Sequence, residues 1–270
     1  MSPLAAEGLR ALAAALIAAI LAFIISLFWR QLKVNKIRQE LVDLINVFKA
    51  LRREPGESVR ERLRNLSRQV DTLKGINVAE RRKLQSLVLQ SFALYHFELE
   101  HYDQALEYFE RALKVNPETT DPLYYKAGCL AYLSRRQVPE LRDESLHKAL
   151  DAIEQAVNLS PKDAQNYVGL GWVLDEMGRF EEAIHAYDRA YALDPSLAEA
   201  VYNKACALAK AGQLQEALTI LESLANKQRW IEDAREDDDL TQTLGQDPDL
   251  GNKFWALVGA PSKAQDTATF

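Results

Sequence analysis

Side chains that could carry out catalysis are few in this sequence and widely spaced. The four histidines lie at positions 96, 101, 147 and 185, and the two cysteines at positions 129 and 206. We find no glycine-rich phosphate loop, no nucleophile elbow and no HExxH pair. The acidic run from Glu236 to Asp239 lacks the ligand spacing and the glycine of a calcium loop, so we interpret it as solvated. The sequence predicts neither an enzyme nor a bound cofactor or metal.

The composition indicates that helices must position any binding residues. The chain has 270 residues, of which 48% are hydrophobic and 27% charged, as in a folded protein. Its 11 glycines and 9 prolines are too few for a loop-rich all-β architecture, and strong helix formers such as Ala, Leu, Glu and Arg dominate. The predicted fold class is all-α.

Charge is divided unevenly along the chain. Residues 30–83 hold fifteen basic and seven acidic side chains, whereas the net charge of the whole chain is -6. The remainder, and in particular residues 84–270, is therefore strongly acidic. An acidic surface repels phosphate backbones, so we predict that the protein binds no nucleic acid.

One apolar segment, residues 11–29, follows a short N-terminal tail of residues 1–10. It contains no charged side chain, and as a helix rising about 1.5 Å per residue it would span about 28 Å, close to the hydrocarbon thickness of a bilayer. We predict a single transmembrane helix over these residues. A cleaved signal peptide and a buried core helix are the alternatives.

The residues that flank this segment predict its orientation. Arg30, Lys33 and Lys36 follow it closely, which favours a single-pass membrane protein with its C-terminal domain on the cytoplasmic or stromal side. Contact of this basic stretch with anionic lipid is a further hypothesis. A column of small residues at four-residue spacing, the pattern of closely packed transmembrane helices, suggests a homodimer. The column consists of Ala14, Ala18, Ala22 and Ser26.

Residues 30–76 show two apolar seams of the heptad type. The first runs from Val34 to Leu51 and the second from Val59 to Leu73, with the helix breaker Pro55-Gly56 between them. Each seam needs a partner, and the neighbouring helix is the nearest one. We therefore predict a basic helical-hairpin stem, with an intermolecular coiled coil as the alternative.

A period of 34 residues recurs in the second half of the chain. It separates Pro161 from Pro195 and Gly178 from Gly212, and it relates the alanines at positions 149, 183 and 217. Such a period is typical of stacked helical hairpins, in which small residues let two helices pack closely and a proline ends the second helix.

The segment from Ala164 to Pro195 resembles the tetratricopeptide-repeat (TPR) family. The matching positions are Tyr167, Leu170, Gly171, Leu174, Gly178, Phe180, Ala183, Tyr187, Ala190 and Pro195. The resemblance implies a TPR-type helical-hairpin solenoid over residues 77–228, with units near 86–117, 120–161, 164–195 and 198–228.

Residues 134–146 lengthen the second unit, either as a second contact surface or by neutral drift. Residues 229–259 are similar to the end-of-group cap of such arrays, and 260–270 are predicted to be disordered.

The resemblance also implies where partners bind, because the first helix of each repeat lines a concave groove in this family. The groove positions that we select are Tyr124, Tyr132, Trp172, Asp175, Tyr202 and Lys210. We predict an aromatic groove that holds an apolar or basic peptide or helix, with cation-π contact. The alternative is that half of these rings belong to the core between helices. Too few basic residues lie there for a clamp on an acidic chaperone tail.

These features together predict a membrane-anchored adaptor or assembly factor that acts through protein-protein contacts. The alternative is a structural subunit that associates with itself and organises a membrane complex. Assembly factors of photosystems and of the bacterial envelope are similar in layout, although the four-cysteine metal module of the latter is absent from this sequence.

Overall fold

The computed structural model describes residues 23–43, 45, 57–226 and 228–259. Over these ranges the chain forms helices, turns and short connections without a β-strand, which confirms the all-α prediction. The chain divides into two compact units, Met1–Pro117 and Glu118–Phe270. The predicted tails at 1–10 and 260–270 lie outside the described residues.

Four helices are described in the first unit, and several of their apolar side chains are buried, although those of residues 23–29 are largely exposed. The four helices are α1 (residues 23–43), α2 (Glu57–Thr72), α3 (Val78–Glu98) and α4 (Tyr102–Val115). Val34 and Leu41 of α1 and Leu63 of α2, all members of the predicted seams, are fully buried. Phe48 and Leu51 lie outside the described residues. The basic stem is tied to α3 by the Arg38–Glu80 ion pair, whose closest N–O distance is 2.9 Å.

The second unit consists of nine described helices, of which the first six form successive pairs. Helix α5 (Asp121–Ser134) packs on α6 (Pro139–Leu159), α7 (Ala164–Glu176) on α8 (Phe180–Leu193), and α9 (Ala198–Lys210) on α10 (Leu214–Ser223). Three shorter helices follow: α11 (Gln228–Glu236), α12 (Asp238–Thr243) and α13 (Gly251–Val258).

Small residues set the distance between the two helices of a pair. Ala149, Ala183 and Ala217, which share the 34-residue period, are all fully buried. In the α7–α8 pair, a Cβ atom placed on Gly171 would lie only 2.6–2.8 Å from the ring of Tyr187. The closest approach of α7 and α8 therefore depends on the missing side chain at position 171.

The turns between paired helices also follow the period. Gly178 ends α7 and Gly212 ends α9, with φ of +73° and +79°. Both are left-handed conformations in which glycine avoids the steric cost of a Cβ atom. The backbone N–H of Gly178 donates to the carbonyl of Asp175, and that of Gly212 to Ala209, so each glycine also satisfies a carbonyl at the helix end.

The last three helices cover the apolar face of α9 and α10. Ile231 of α11, Leu240 of α12 and Phe254 of α13 share one buried cluster with residues of the final helix pair. Those residues include Leu208, Leu218 and Leu221. The three helices therefore remove apolar side chains of α9 and α10 from water.

The predicted single-pass membrane localisation, with the C-terminal domain on the cytoplasmic or stromal side, is contradicted, and the predicted transmembrane helix is not supported by the described residues. None of the helices in the described ranges combines the length and the hydropathy needed to traverse a bilayer. Of the predicted span, the structure describes only residues 23–29, which begin the described part of α1 and are followed by Arg30. Residues 11–22, which include Ala14, Ala18 and Ala22 of the proposed dimer column, lie outside the described residues.

The Gly171–Tyr187 contact yields a stability prediction. In Gly171→Ala the new methyl group would press on the buried Tyr187 ring, and overpacking of this kind costs about 1–3 kcal/mol. A gain of about 1 kcal/mol in helix propensity offsets part of the cost. Because the Tyr187 ring is almost fully buried, the cost should lie near the upper end, so we expect the free energy of unfolding in urea to fall by about 2 kcal/mol. The exposed control Gln155→Ala should stay within about 0.5 kcal/mol of wild type; equal stability of both variants would contradict the close approach.

Candidate protein-binding site

The six predicted groove residues all lie on first helices of pairs in the second unit. Tyr124 and Tyr132 belong to α5, Trp172 and Asp175 to α7, and the other two residues to α9; these two are Tyr202 and Lys210. Helix α5 contacts α7, and α7 contacts α9, so the three helices form a continuous layer. The six residues differ in their surroundings, however.

Tyr132 and Trp172 form an aromatic pair that already holds a cation. Their ring centroids lie 4.9 Å apart at an interplanar angle of 50°. The guanidinium of Arg135 lies 5.4 Å from the Tyr132 centroid and 5.9 Å from that of Trp172. Arg135 also donates from Nε to a carboxylate oxygen of Glu176 at 3.2 Å. The predicted cation-π contact therefore exists within the chain, and Arg135 supplies it.

Tyr124 lies between helices and not on an open surface. A Cβ atom on Gly169 of α7 would lie 2.7 Å from the Tyr124 ring, which shows how closely the ring packs. Burial raises the pKa of the Tyr124 hydroxyl. This residue contributes to interhelical packing, the alternative weighed for part of the aromatic set.

Tyr202 is covered by the C-terminal helices. Its side chain is only 8% exposed, and its ring lies 5.1 Å from that of Trp230 on α11. The Tyr202 hydroxyl donates to Oδ2 of Asp237 at 3.1 Å. Burial raises the pKa of Tyr202, and the neighbouring Cys206 and Asp237 raise it further. The N-terminal end of α12 thus lies on the face of α9 that was predicted to line the groove.

Asp175 and Lys210 form the ionic part of the site together with Asp239, which precedes Leu240 in the first turn of α12. Nζ of Lys210 lies 2.7 Å from Oδ2 of Asp175 and 2.9 Å from Oδ2 of Asp239. Burial raises the pKa of Asp175, against the lowering effect of the Lys210 hydrogen bond. Burial would lower the pKa of Lys210, but its two carboxylate partners outweigh burial and raise that pKa. Lys210 therefore stays charged at neutral pH.

A solvent-open groove of ≈ 940 Å³ adjoins these residues. It is bounded by the start of α6, the end of α7 and the Lys210–Asp239 pair, and Arg135 connects it to the aromatic pair. Its lining residues are Arg135, Gln137, Pro139, Arg142, Asp143, Leu146, Asp175, Glu176, Met177, Gly178, Phe180, Lys210 and Asp239. Residues 134–146, predicted to lengthen the turn, supply six of these side chains: two lie in the turn after α5 and four in the first turns of α6, so the insertion helps to build the groove wall.

The groove residues that the selected positions missed include Arg135, Glu176 and Asp239. The basic stretch at 135–142 was a usable signal, because two arginines there contact Glu176. Asp239 carried no such signal, since its contact with Lys210 joins residues 29 positions apart. Among the described residues, no group of His, Cys, Asp and Glu side chains is arranged to hold a metal ion.

Comparison with known proteins agrees with this geometry. Models of the tetratricopeptide repeat match residues 87–119, 140–195 and 168–233, which cover most of the paired helices. The chain carries tetratricopeptide repeats. A thermophilic TPR protein of Thermus thermophilus has a similar fold, with a TM-score of 0.50, 18% identity, and coverage of 73% of this chain and 98% of that one.

Two yeast proteins share TPR sequence with part of this chain. Superkiller protein 3 of Saccharomyces cerevisiae is 31% identical over 90 residues, or 33% of this chain and 6% of that protein. The peroxisomal targeting signal receptor of the same organism is 37% identical over 81 residues, or 30% of this chain and 13% of the receptor. The chain thus spans only a small part of these relatives. The TPR matches support a protein-protein interaction module, the general role of tetratricopeptide repeats.

The buried ionic contact in the TPR groove yields a prediction with a defined pH dependence. Lys210→Met would leave Asp175 buried without its cation, and losing one partner of a buried pair costs about 3–5 kcal/mol. Because Lys210 remains partly exposed, we expect the lower end, about 3 kcal/mol of unfolding free energy at neutral pH. The stability lost in Lys210→Met should become smaller as pH falls through the raised pKa of Asp175, because protonation of Asp175 removes its unpaired charge.

Urea denaturation at neutral and mildly acidic pH measures this effect. The double variant Asp175→Asn/Lys210→Met is the control, because it removes both charges and should lose the added pH dependence. Wild-type stability of Lys210→Met at neutral pH would show that the pair contributes nothing.

Proposed function

We propose that this protein is an adaptor or assembly factor that binds a short segment of another protein, a peptide or a helix, in its TPR groove. The observation that carries the proposal is the open groove of ≈ 940 Å³ joined through Arg135 to the Tyr132–Trp172 pair. A rigid aromatic pair beside a concave, partly apolar space is the arrangement that anchors partner side chains in many interfaces.

Two further observations support this function. The groove wall includes the apolar side chains of Leu146, Met177 and Phe180 beside charged groups, so it can hold an amphipathic segment. The peroxisomal targeting signal receptor, one of the matched relatives, is by its name a receptor for a signal.

The proposal includes the organisation of the chain. We propose residues 30–76 as a helical stem, 77–228 as the TPR solenoid, and 229–259 as a cap of the end-of-group type. The cap is supported by the burial of Leu240, Leu244 and Phe254 against the last helix pair. In this arrangement Tyr202 is not part of the binding surface. The surface is formed by Tyr132, Trp172 and Arg135.

The test is a selection of peptides from a random phage library against the full chain. We expect Trp172→Ala and Arg135→Ala each to weaken the binding of selected synthetic peptides about thirtyfold, the effect of losing a 2 kcal/mol anchor. Fluorescence polarisation of labelled peptides gives the dissociation constants. Circular dichroism confirms that the variants remain folded.

The matched control is Tyr191→Ala, which removes an exposed aromatic ring on α8, away from the groove lining. Its affinity should equal that of wild type. If no peptide is selected, or if all three variants bind as wild type does, the proposed groove function is wrong.

A further inference from the structure

The two carboxylates that hold Lys210 differ in how firmly they are placed. The Asp175 side chain, on α7, is 9% exposed, whereas the Asp239 side chain, on α12, is 56% exposed. An exposed carboxylate regains its hydration when it leaves an ion pair, so only the buried one is costly to separate. Lys210 therefore has one permanent partner and one exchangeable partner.

Two residues of the acidic run contact α9, although Glu236, Asp238 and Asp239 remain exposed, as expected of a solvated run. Asp237 accepts the hydroxyl hydrogen bond of Tyr202, and the Cys206 thiol lies 3.9 Å from the same oxygen. Asp239 pairs with Lys210. The α9 residues contacted, at positions 202, 206 and 210, are spaced by four and so share one helix face. Carboxylates at the start of α12 thus cover this face of α9, and the Lys210–Asp239 pair on it also lines the groove.

We propose that Asp239 is an internal substitute for an acidic side chain of the partner, and that a partner aspartate or glutamate displaces it from Lys210 on binding. This inference rests on the proposed groove function and specifies the class of segment that the groove accepts. The pair lines the open groove, so an incoming segment reaches it directly.

The balance of charge around Lys210 favours this exchange over binding of a basic or neutral side chain at that position. Replacing one carboxylate by another leaves the net charge around Lys210 unchanged, whereas a basic segment would place a second cation beside it. Asp143 and Glu176 also line the groove; Arg135 donates to the Glu176 carboxylate, whereas Arg142 donates to the Glu176 backbone carbonyl. The two arginines and the two carboxylates balance one another there, so we expect the acidic residue of the partner at Lys210.

A second feature of the pocket fits a peptide backbone next to that acidic residue. Oδ1 of Asp175 is buried at the groove wall and accepts no hydrogen bond from any described residue. Buried carboxylate oxygens normally have a donor, and a peptide segment brings N–H groups beside its side chains. Asp175 thus offers an acceptor next to the cation that holds the partner's carboxylate.

The experiment titrates the isotope-labelled full chain with N-acetyl-glutamate N-methylamide, a side-chain carboxylate probe, and follows the backbone amide signals of Met177, Gly178 and Lys210. In Asp239→Ala the probe should bind saturably. In wild type it should bind about fivefold more weakly, because an exposed ion pair contributes up to about 1 kcal/mol of competition. The uncharged N-acetyl-glutamine N-methylamide should cause no saturable shift in either protein.

Asp188→Ala is the matched control. Asp188 pairs with Lys204 at 2.8 Å, with side-chain exposures of 50% and 20%, close to the 56% and 23% of the Asp239–Lys210 pair. This variant removes the same charge but leaves Lys210 paired, so the groove signals should respond as in wild type. Asp175→Asn/Lys210→Met/Asp239→Ala, which lacks the cation and its buried partner, should show no saturable shift.

Three results would overturn the inference. The first is equal affinity of the glutamate probe for wild type and Asp239→Ala, and the second is absence of saturation in Asp239→Ala. The third is binding of N-acetylglycine as tight as that of the glutamate probe, because this result would assign the site to a chain terminus. If selected peptides still depend on Trp172, the groove function stands and only the exchange at Lys210 is wrong. If no peptide binds the groove, the proposed function itself fails.

Discussion

The close approach of paired helices at small residues is the constraint on which this structure depends. Fully buried alanines at positions 149, 183 and 217, and Gly171 beneath the Tyr187 ring, let each second helix lie against its first. Because the buried face of each pair is built this way, the first helices are held in a layer. That layer fixes the separation of Tyr132, Trp172 and Lys210, and thereby the geometry of the groove.

Much of the fold follows from local patterns in the sequence. The 34-residue period identifies the helix pairs, because glycine at a left-handed turn and alanine at a close contact are required by sterics at each repeat. Gly178 and Gly212 illustrate this, since both end a first helix with positive φ. Hydropathy also predicted a bilayer span at 11–29; residues 11–22 of it lie outside the described part of the chain, and no described helix is long and apolar enough to form one.

The site was less accessible to sequence reasoning because it is made by contacts across helices. The family resemblance located first-helix positions but did not reveal that α11 and α12 cover Tyr202, or that Tyr124 packs beneath α7. Asp239 pairs with Lys210 only because α12 folds back on α9. Such contacts depend on how the helices after the last repeat pack on α9. The repeat period carries no information about that packing.

The return of α11–α13 onto α9 also limits how an array of this kind can grow. Arrays lengthen by duplicating whole units, and a new unit must find an apolar neighbour on both sides. Here the outer face of the last pair is already committed to Leu240, Leu244 and Phe254. An added unit at the C-terminal end would have to evict them, so duplication is compatible with this architecture only upstream of α9.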